Sequence, residues 1–161
     1  MNVDRDRNMA LKPSYNDKLY LPGLSNTEIL ILALEASQKL EWNIEEVTPE
    51  GIRFEVPFSI HSHGEAITFT IEKGSDGEVS VRSQSSSVQF VDYGKNRKNI
   101  QKLRETMEEI KASLTPEELA QRAKDFEEEF NRPLTEEEKA YIEEEKKRNS
   151  CLLYTSDAAD E

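Results

Sequence analysis

Cysteine is almost absent from this chain: Cys151 is the single one among 161 residues. One thiol excludes an intramolecular disulfide framework and a cysteine-built metal site. Long apolar runs are missing too, and no stretch approaches the roughly 18–20 residues that a membrane-crossing helix needs. Residues 1–10 lack the apolar segment of a secretory leader. Positive charge is in deficit, with 21 basic against 33 acidic side chains and a formal charge of −12. A general nucleic-acid binder carries a basic footprint, so that class of partner is excluded. Apolar side chains make up only 35% of the chain, and mean hydropathy is −0.77. Such a composition suits one small core with solvated or helical extensions rather than a globule throughout. Catalytic signatures are also missing: there is no Walker loop, G-x-G-x-x-G, zinc-spaced cysteine set or G-x-S-x-G elbow. Neither enzymatic activity nor a cofactor is expected.

What is present reads as helix, meander, helix. Ser25-x-x-Glu28 is a capping box, in which the serine hydroxyl accepts the N–H three residues on and the glutamate reaches back. It predicts a helix to about residue 40, with Ile29, Leu32, Ala33, Ala36 and Leu40 as its core stripe, widened by Leu30, Ile31 and Leu34. From Trp42 the period becomes two. Trp42 and Ile44 begin a short strand, Thr48-Pro49-Glu50-Gly51 has the composition of a turn, and Ile52, Phe54 and Val56 alternate with Arg53 and Glu55. Ile67, Phe69 and Ile71 alternate with Thr68, Thr70 and Glu72; Val79 and Val81 continue the inward face, and residues 84–87 read as a polar loop. Short connections imply an antiparallel meander of three to four strands.

A second helix is predicted from about Gly94, because Ile100, Leu103, Met107, Ile110 and Leu114 recur at intervals of 3, 4, 3 and 4. Two helices with one apolar stripe each, on a sheet with one dry face, predict a two-layer α+β sandwich over residues 25–115. Residues 1–24 are polar, contain Pro13 and Pro22-Gly23, and read as a flexible arm. Beyond the domain, Thr115-Pro116-Glu117-Glu118 and Thr135-x-x-Glu138 open two further helices. Residues 116–150 hold 12 acids and 7 bases with few apolar side chains, so an acidic helical linker is expected there. Residues 151–161 (CLLYTSDAADE) break from that text. Permitted codons for them spell a string resembling the mosaic-end adapter of transposase-based sequencing libraries, so they are expected to be adapter-encoded and disordered.

Three clusters are candidates for function. His61, His63 and Glu65 place two imidazoles and a carboxylate close together, but no cysteine or third histidine joins them. They read as a solvated turn, with no metal expected. Ser83, Ser85, Ser86 and Ser87 have no histidine close in sequence and no nucleophile elbow. The richest stretch is residues 92–99 (DYGKNRKN). Asp92 is placed to cap the incoming helix, and Gly94 allows an unusual backbone turn. Lys95, Asn96, Arg97, Lys98 and Lys102 then crowd the first turns, where cations oppose the helix dipole. They are the candidate surface for an anion or an acidic partner, together with the serine-rich segment 83–87; the alternative is a solvated basic face balanced by Glu105, Glu108 and Glu109.

Residues 33–44 (ALEASQKLEWNI), 62–71 (SHGEAITFTI) and 92–100 (DYGKNRKNI) together carry a resemblance. Over about residues 25–112 the chain resembles the small domain that precedes the membrane core of rhomboid-type intramembrane proteases in Bacteroidota. The family pattern has S-W-G-E-E-I before a strand and D-W-G-K-N-K-x-N-I at the last helix. Trp42, Gly64, Glu65, Asp92, Tyr93, Gly94 and Asn99 carry the motif here, with His63 in place of the first pattern aromatic and Tyr93 in place of the second. The resemblance implies a cytoplasmic, non-catalytic accessory or interaction domain, truncated from a larger membrane-associated protein and tethered through it to the inner membrane. Its expected partner is a protein or a membrane surface; no rhomboid Ser/His dyad carries over. Lys146-Lys147-Arg148 suits a positive-inside flank as well as an ordinary helix C-terminus. The alternative function is a stand-alone small-ligand or anion-binding protein using residues 94–104.

Overall fold

The two-residue period of the sequence becomes one five-stranded antiparallel sheet. A computed structural model describes residues 13–57, 64–85 and 94–159. In chain order these form β1 (Ser14–Tyr20), α1 (Asn26–Lys39), β2 (Asn43–Thr48), β3 (Gly51–Val56), β4 (Glu65–Ile71), β5 (Glu78–Ser85), α2 (Lys95–Ser113), α3 (Pro116–Asn131) and α4 (Glu136–Ala159). The strand order is β1-β5-β4-β3-β2, so β2 to β5 make the expected meander and β1 adds a strand at the far edge. Helices α1 and α2 pack on each other; α1 lies over β2 and β3, and α2 over β5 and β1. The expected two-layer α+β fold is therefore present.

Two segments differ from expectation. Residues 14–20, expected to belong to a loose arm, form β1 in continuous register with β5, from Ser14↔Gln84 to Tyr20↔Glu78. Only Leu19 of this strand is deeply buried, so the hydrophobic alternation that marks a strand is weak there. Gly77 holds the end of β1 in place: its carbonyl accepts the Leu21 N–H at 2.8 Å, and a Cβ on it would stand 2.1 Å from the Leu21 carbonyl oxygen. Its φ of 76° lies in the left-handed region that glycine adopts without strain. Residues 84 and 85, expected in a loop, complete β5.

The apolar core sits between sheet and helices. Phe54, Ile67, Phe69, Val79 and Val81 from the sheet meet Ile29, Leu32, Ile100, Leu103 and Met107, all essentially inaccessible to solvent. Trp42 precedes β2 rather than opening it, and it packs on Phe54 with ring centroids 6.1 Å apart. The three capping boxes read from the sequence all form. Ser25 Oγ accepts the Glu28 N–H at 3.1 Å, Thr115 Oγ1 the Glu118 N–H at 3.1 Å, and Thr135 Oγ1 the Glu138 N–H at 3.2 Å.

The chain divides into two units, Met1–Glu127 and Glu128–Glu161. Most of α3 belongs to the first, with Leu119 in the core, Ala123 buried and an Arg122–Glu35 ion pair. In the second unit Arg132 grips Glu138 through Nη2 at 2.6 Å and Glu129 through Nε at 2.8 Å. The Arg132 hydrogen bond, then the Thr135 cap, lower the Glu138 carboxyl to about 2. Helix α4 runs through residues 151–159, the stretch expected to be disordered. No helix among the described residues is long and apolar enough to cross a membrane.

Candidate functional site

Both faces of the sheet carry polar side chains, in different ways. On the helix-covered face the apolar rows end at one edge of the core. The alternation Val79, Val81, Ser83, Ser85 runs from hydrocarbon into hydroxyl, and all four side chains are buried. Beside them on β4, Glu65 pairs in register with Ser85 and is also buried. Asn96 and Asn99, one turn apart on α2, close the cluster from above. Ser83 Oγ donates to Asn96 Oδ1 at 2.8 Å, and Asn96 Nδ2 donates to Ser85 Oγ at 3.2 Å and to the Pro13 carbonyl at 3.1 Å. Asn99 Nδ2 reaches Ser83 Oγ at 3.4 Å. The same Pro13 carbonyl accepts the Ser85 N–H at 2.9 Å. The network fastens the start of α2 to β5 and to the chain leading into β1. Buried polar groups satisfied in this way fix a unique register.

This geometry separates the residues expected to act together at the basic helix start. Asn96 is fully buried and belongs to the network, not to a ligand-facing surface. Ser83 and Ser85, expected in the same surface, are buried too. The cations divide between opposite flanks of α2, as a 3.6-residue period requires of positions 95, 98 and 102 against 97 and 104. Arg104 lies over β1, where Nη2 donates to Asp17 Oδ2 at 2.7 Å. That bond holds the Asp17 carboxyl below its ordinary value, aided by the Lys18 N–H and by the charge of nearby Arg97. Lys95, Lys98 and Lys102 occupy the flank that also carries Glu109, which pairs with Lys39 of α1. Gly94 caps α2 with φ 73° and no side-chain cap bond. Gly64 precedes β4 at φ 88°. Asp92, Tyr93, His61, His63, Ser86 and Ser87 lie outside the described residues. Among the described residues no group of three His, Cys, Asp or Glu side chains is placed to hold a metal.

The opposite face of the sheet is solvent-exposed and was not singled out by the sequence. Its side chains form rows across the strands: Asn16, Arg82, Thr68, Arg53 and Glu46 in one, Lys18, Ser80, Thr70, Gly51 and Thr48 in the next. An open hollow of about 780 Å³ lies over β1, β5 and β4, lined by Asn16, Lys18, Thr68, Thr70, Ser80 and Arg82, with Gln84 at its end; Asp17 also borders it, its carboxylate bonded to Arg104. Most charged groups on this face are already matched. Lys18 pairs with Glu78, Arg53 with Glu46 at 3.4 Å, and Glu72 accepts from Ser80. Arg82 has no ion-pair partner among the described residues, and its neighbours in register, Asn16 and Thr68, are neutral. The sequence signal for this site was the polar half of the β4 and β5 alternation. Its third side is β1, whose weak hydrophobic alternation gives little strand signal in the sequence.

A helix-backed antiparallel sheet with one bare polar face defines a small α+β domain, and β1 belongs to it. The comparisons agree on that boundary: residues 13–107, from just before β1 into α2, match the family described as "Protein of unknown function (DUF1499)". More than half of the chain is covered, and the chain belongs to that family. Neither a curated protein nor a solved structure matches it.

Proposed function

We propose that the domain is a non-catalytic binding module whose ligand-facing surface is the bare face of the sheet. The observation that carries this reading is the contrast between its two polar regions. Ser83 Oγ donates to Asn96 and accepts from Asn99, and Ser85 Oγ accepts from Asn96, so these buried hydroxyls are tied into the fold. The exposed hollow holds hydroxyl, amide and cationic groups open to solvent. Ligand-observed NMR of the full chain against polar metabolites, run beside turnover assays on chromogenic esters, phosphoesters and peptides, tests it. Binding without turnover is expected; turnover that disappears in Ser83→Ala overturns the reading.

In its finer form the module is a cytoplasmic accessory domain of a larger membrane-associated protein. That form rests on the sequence resemblance over residues 25–112, and the uninterrupted gene beyond codon 150 tests it: segments of about 20 apolar residues support it, and an immediate stop codon removes it. A second reading places an anion at the start of α2, favoured by Lys95, Lys98 and Lys102 on one flank. Changing those three lysines to Glu abolishes binding under this second reading and leaves it intact under the first.

A further inference from the structure

We infer that the hollow over β1, β5 and β4 takes a small polyhydroxylated organic anion, of the sugar-phosphate or sugar-acid kind, with Arg82 as its charge anchor. This assignment rests on the reading of the bare face as the binding surface and names the ligand class for it.

Charge supplies the first argument. Arg82 points to the bare side because its neighbours Val81 and Ser83 are buried under the helices. It stands between neutral Asn16 and Thr68, while the other cations of the face, Lys18 and Arg53, have carboxylate partners. What sets Arg82 apart is its place: it stands in the middle of a strand on the open face, among neutral neighbours in register. Its planar fork of donors matches a carboxylate or a phosphate with two parallel bonds. Lys18, at the next position along the bare side of β1, lines the same hollow with its ammonium matched by Glu78, which leaves Arg82 as the charge anchor.

The remaining lining supplies the second argument. Thr68 and Thr70 offer hydroxyls, Ser80 offers the lone pairs of a hydroxyl whose proton goes to Glu72, and Asn16 and Gln84 offer amides. The threonine hydroxyls and the amides both donate and accept, which suits a ligand rich in hydroxyl groups. No aromatic side chain lines the hollow among the described residues, so there is no platform on which a nucleobase or a ring would stack. The hollow is open to solvent and broad enough to admit a molecule larger than a lone inorganic anion. The sheet backbone beneath is rigid and fully paired from β1 to β4, so the donors are held in place before a ligand arrives.

Isothermal titration of the full chain with glucose 6-phosphate, gluconate, glucose and inorganic phosphate tests the assignment. Glucose 6-phosphate or gluconate is expected to bind at least tenfold more tightly than glucose or phosphate alone, and whichever is stronger tells phosphate from carboxylate. Arg82→Gln, at an exposed position, should keep the melting temperature and weaken binding tenfold or more. Ser80→Ala, which keeps every charge, should weaken it a fewfold. Raising the salt concentration should weaken the wild-type complex and leave Arg82→Gln little changed. Equal binding by wild type and Arg82→Gln, or no binding of any of the four probes, overturns the ligand class. Turnover of a probe in the same cell overturns instead the reading of the domain as a non-catalytic module.

Discussion

The two faces of one sheet divide the work of this domain. β4 and β5 alternate strictly, and the same strands supply Ile67, Phe69, Val79 and Val81 to a dry interior and Thr68, Thr70, Ser80 and Arg82 to water. A two-residue period makes that division automatic, since neighbouring side chains point to opposite faces. The covered face also contains polar groups, and its serines and asparagines bond one another within the fold. On the bare face, Arg82 has no ion-pair partner among the described residues. Polarity under the helices thus holds the fold together, and polarity on the open side is available to a ligand.

The sharpest break of this comparison comes from neighbours in β4. Phe69→Ala empties the centre of the core and should lower stability by about 3–5 kcal/mol in urea denaturation, whereas Thr70→Ala on the other face should stay within about 0.5 kcal/mol. Similar losses for the two would dissolve the division. The polar groups give the next contrast. Asn96→Ala takes the acceptor from the Ser83 hydroxyl and the donor from Ser85 Oγ in a buried setting and should cost about 2–3 kcal/mol, while Asn16→Ala, exposed in the hollow, should cost next to nothing. The third test concerns the strand that completes the hollow. Gly77→Ala drives a methyl group into the Leu21 backbone at a positive φ and should cost about 1–3 kcal/mol, with faster amide exchange along β1 than along β3.

A smaller effect comes from the rim between helix and sheet. Arg104 depresses the Asp17 carboxyl. A carboxyl with a lowered folded value contributes stability above its ordinary value of 3.8, and that contribution fades as pH falls through the folded value. The pair is partly solvated, so its worth is under about 1 kcal/mol. A carboxyl NMR titration should show Asp17 ionising at lower pH than a free aspartate, and Arg104→Gln should move it back up. In the second unit Glu138, held by Arg132 and by the Thr135 cap, should titrate near pH 2. Arg132→Gln should raise that midpoint toward the ordinary glutamate value, by the same sign of linkage.

The fold was largely legible because its strongest signals are local. Capping boxes at Ser25, Thr115 and Thr135 place helix starts through bonds made within three residues. The stripe at Ile100, Leu103 and Met107 shows which side of α2 meets the sheet. β1 was not legible, since an edge strand with Leu19 as its one deeply buried residue has little hydrophobic period to display. Its register comes from contacts distant in sequence: Gly77 on Leu21, Arg104 on Asp17, and Pro13 under Asn96. The site was harder still. A run of lysines and arginines at a helix start draws attention in a linear sequence, and the helical period then sends those side chains to different flanks. Arg82 stands alone in sequence, and its isolation becomes visible only when the register shows Asn16 and Thr68 beside it.

The most direct test of the divided sheet is a two-dimensional amide NMR titration of the full chain with glucose 6-phosphate and gluconate. The account predicts shift changes concentrated at residues 16, 18, 68, 70, 80 and 82, with the amides of 95–102 undisturbed. Changes confined to 95–102, with the bare face silent, would contradict it.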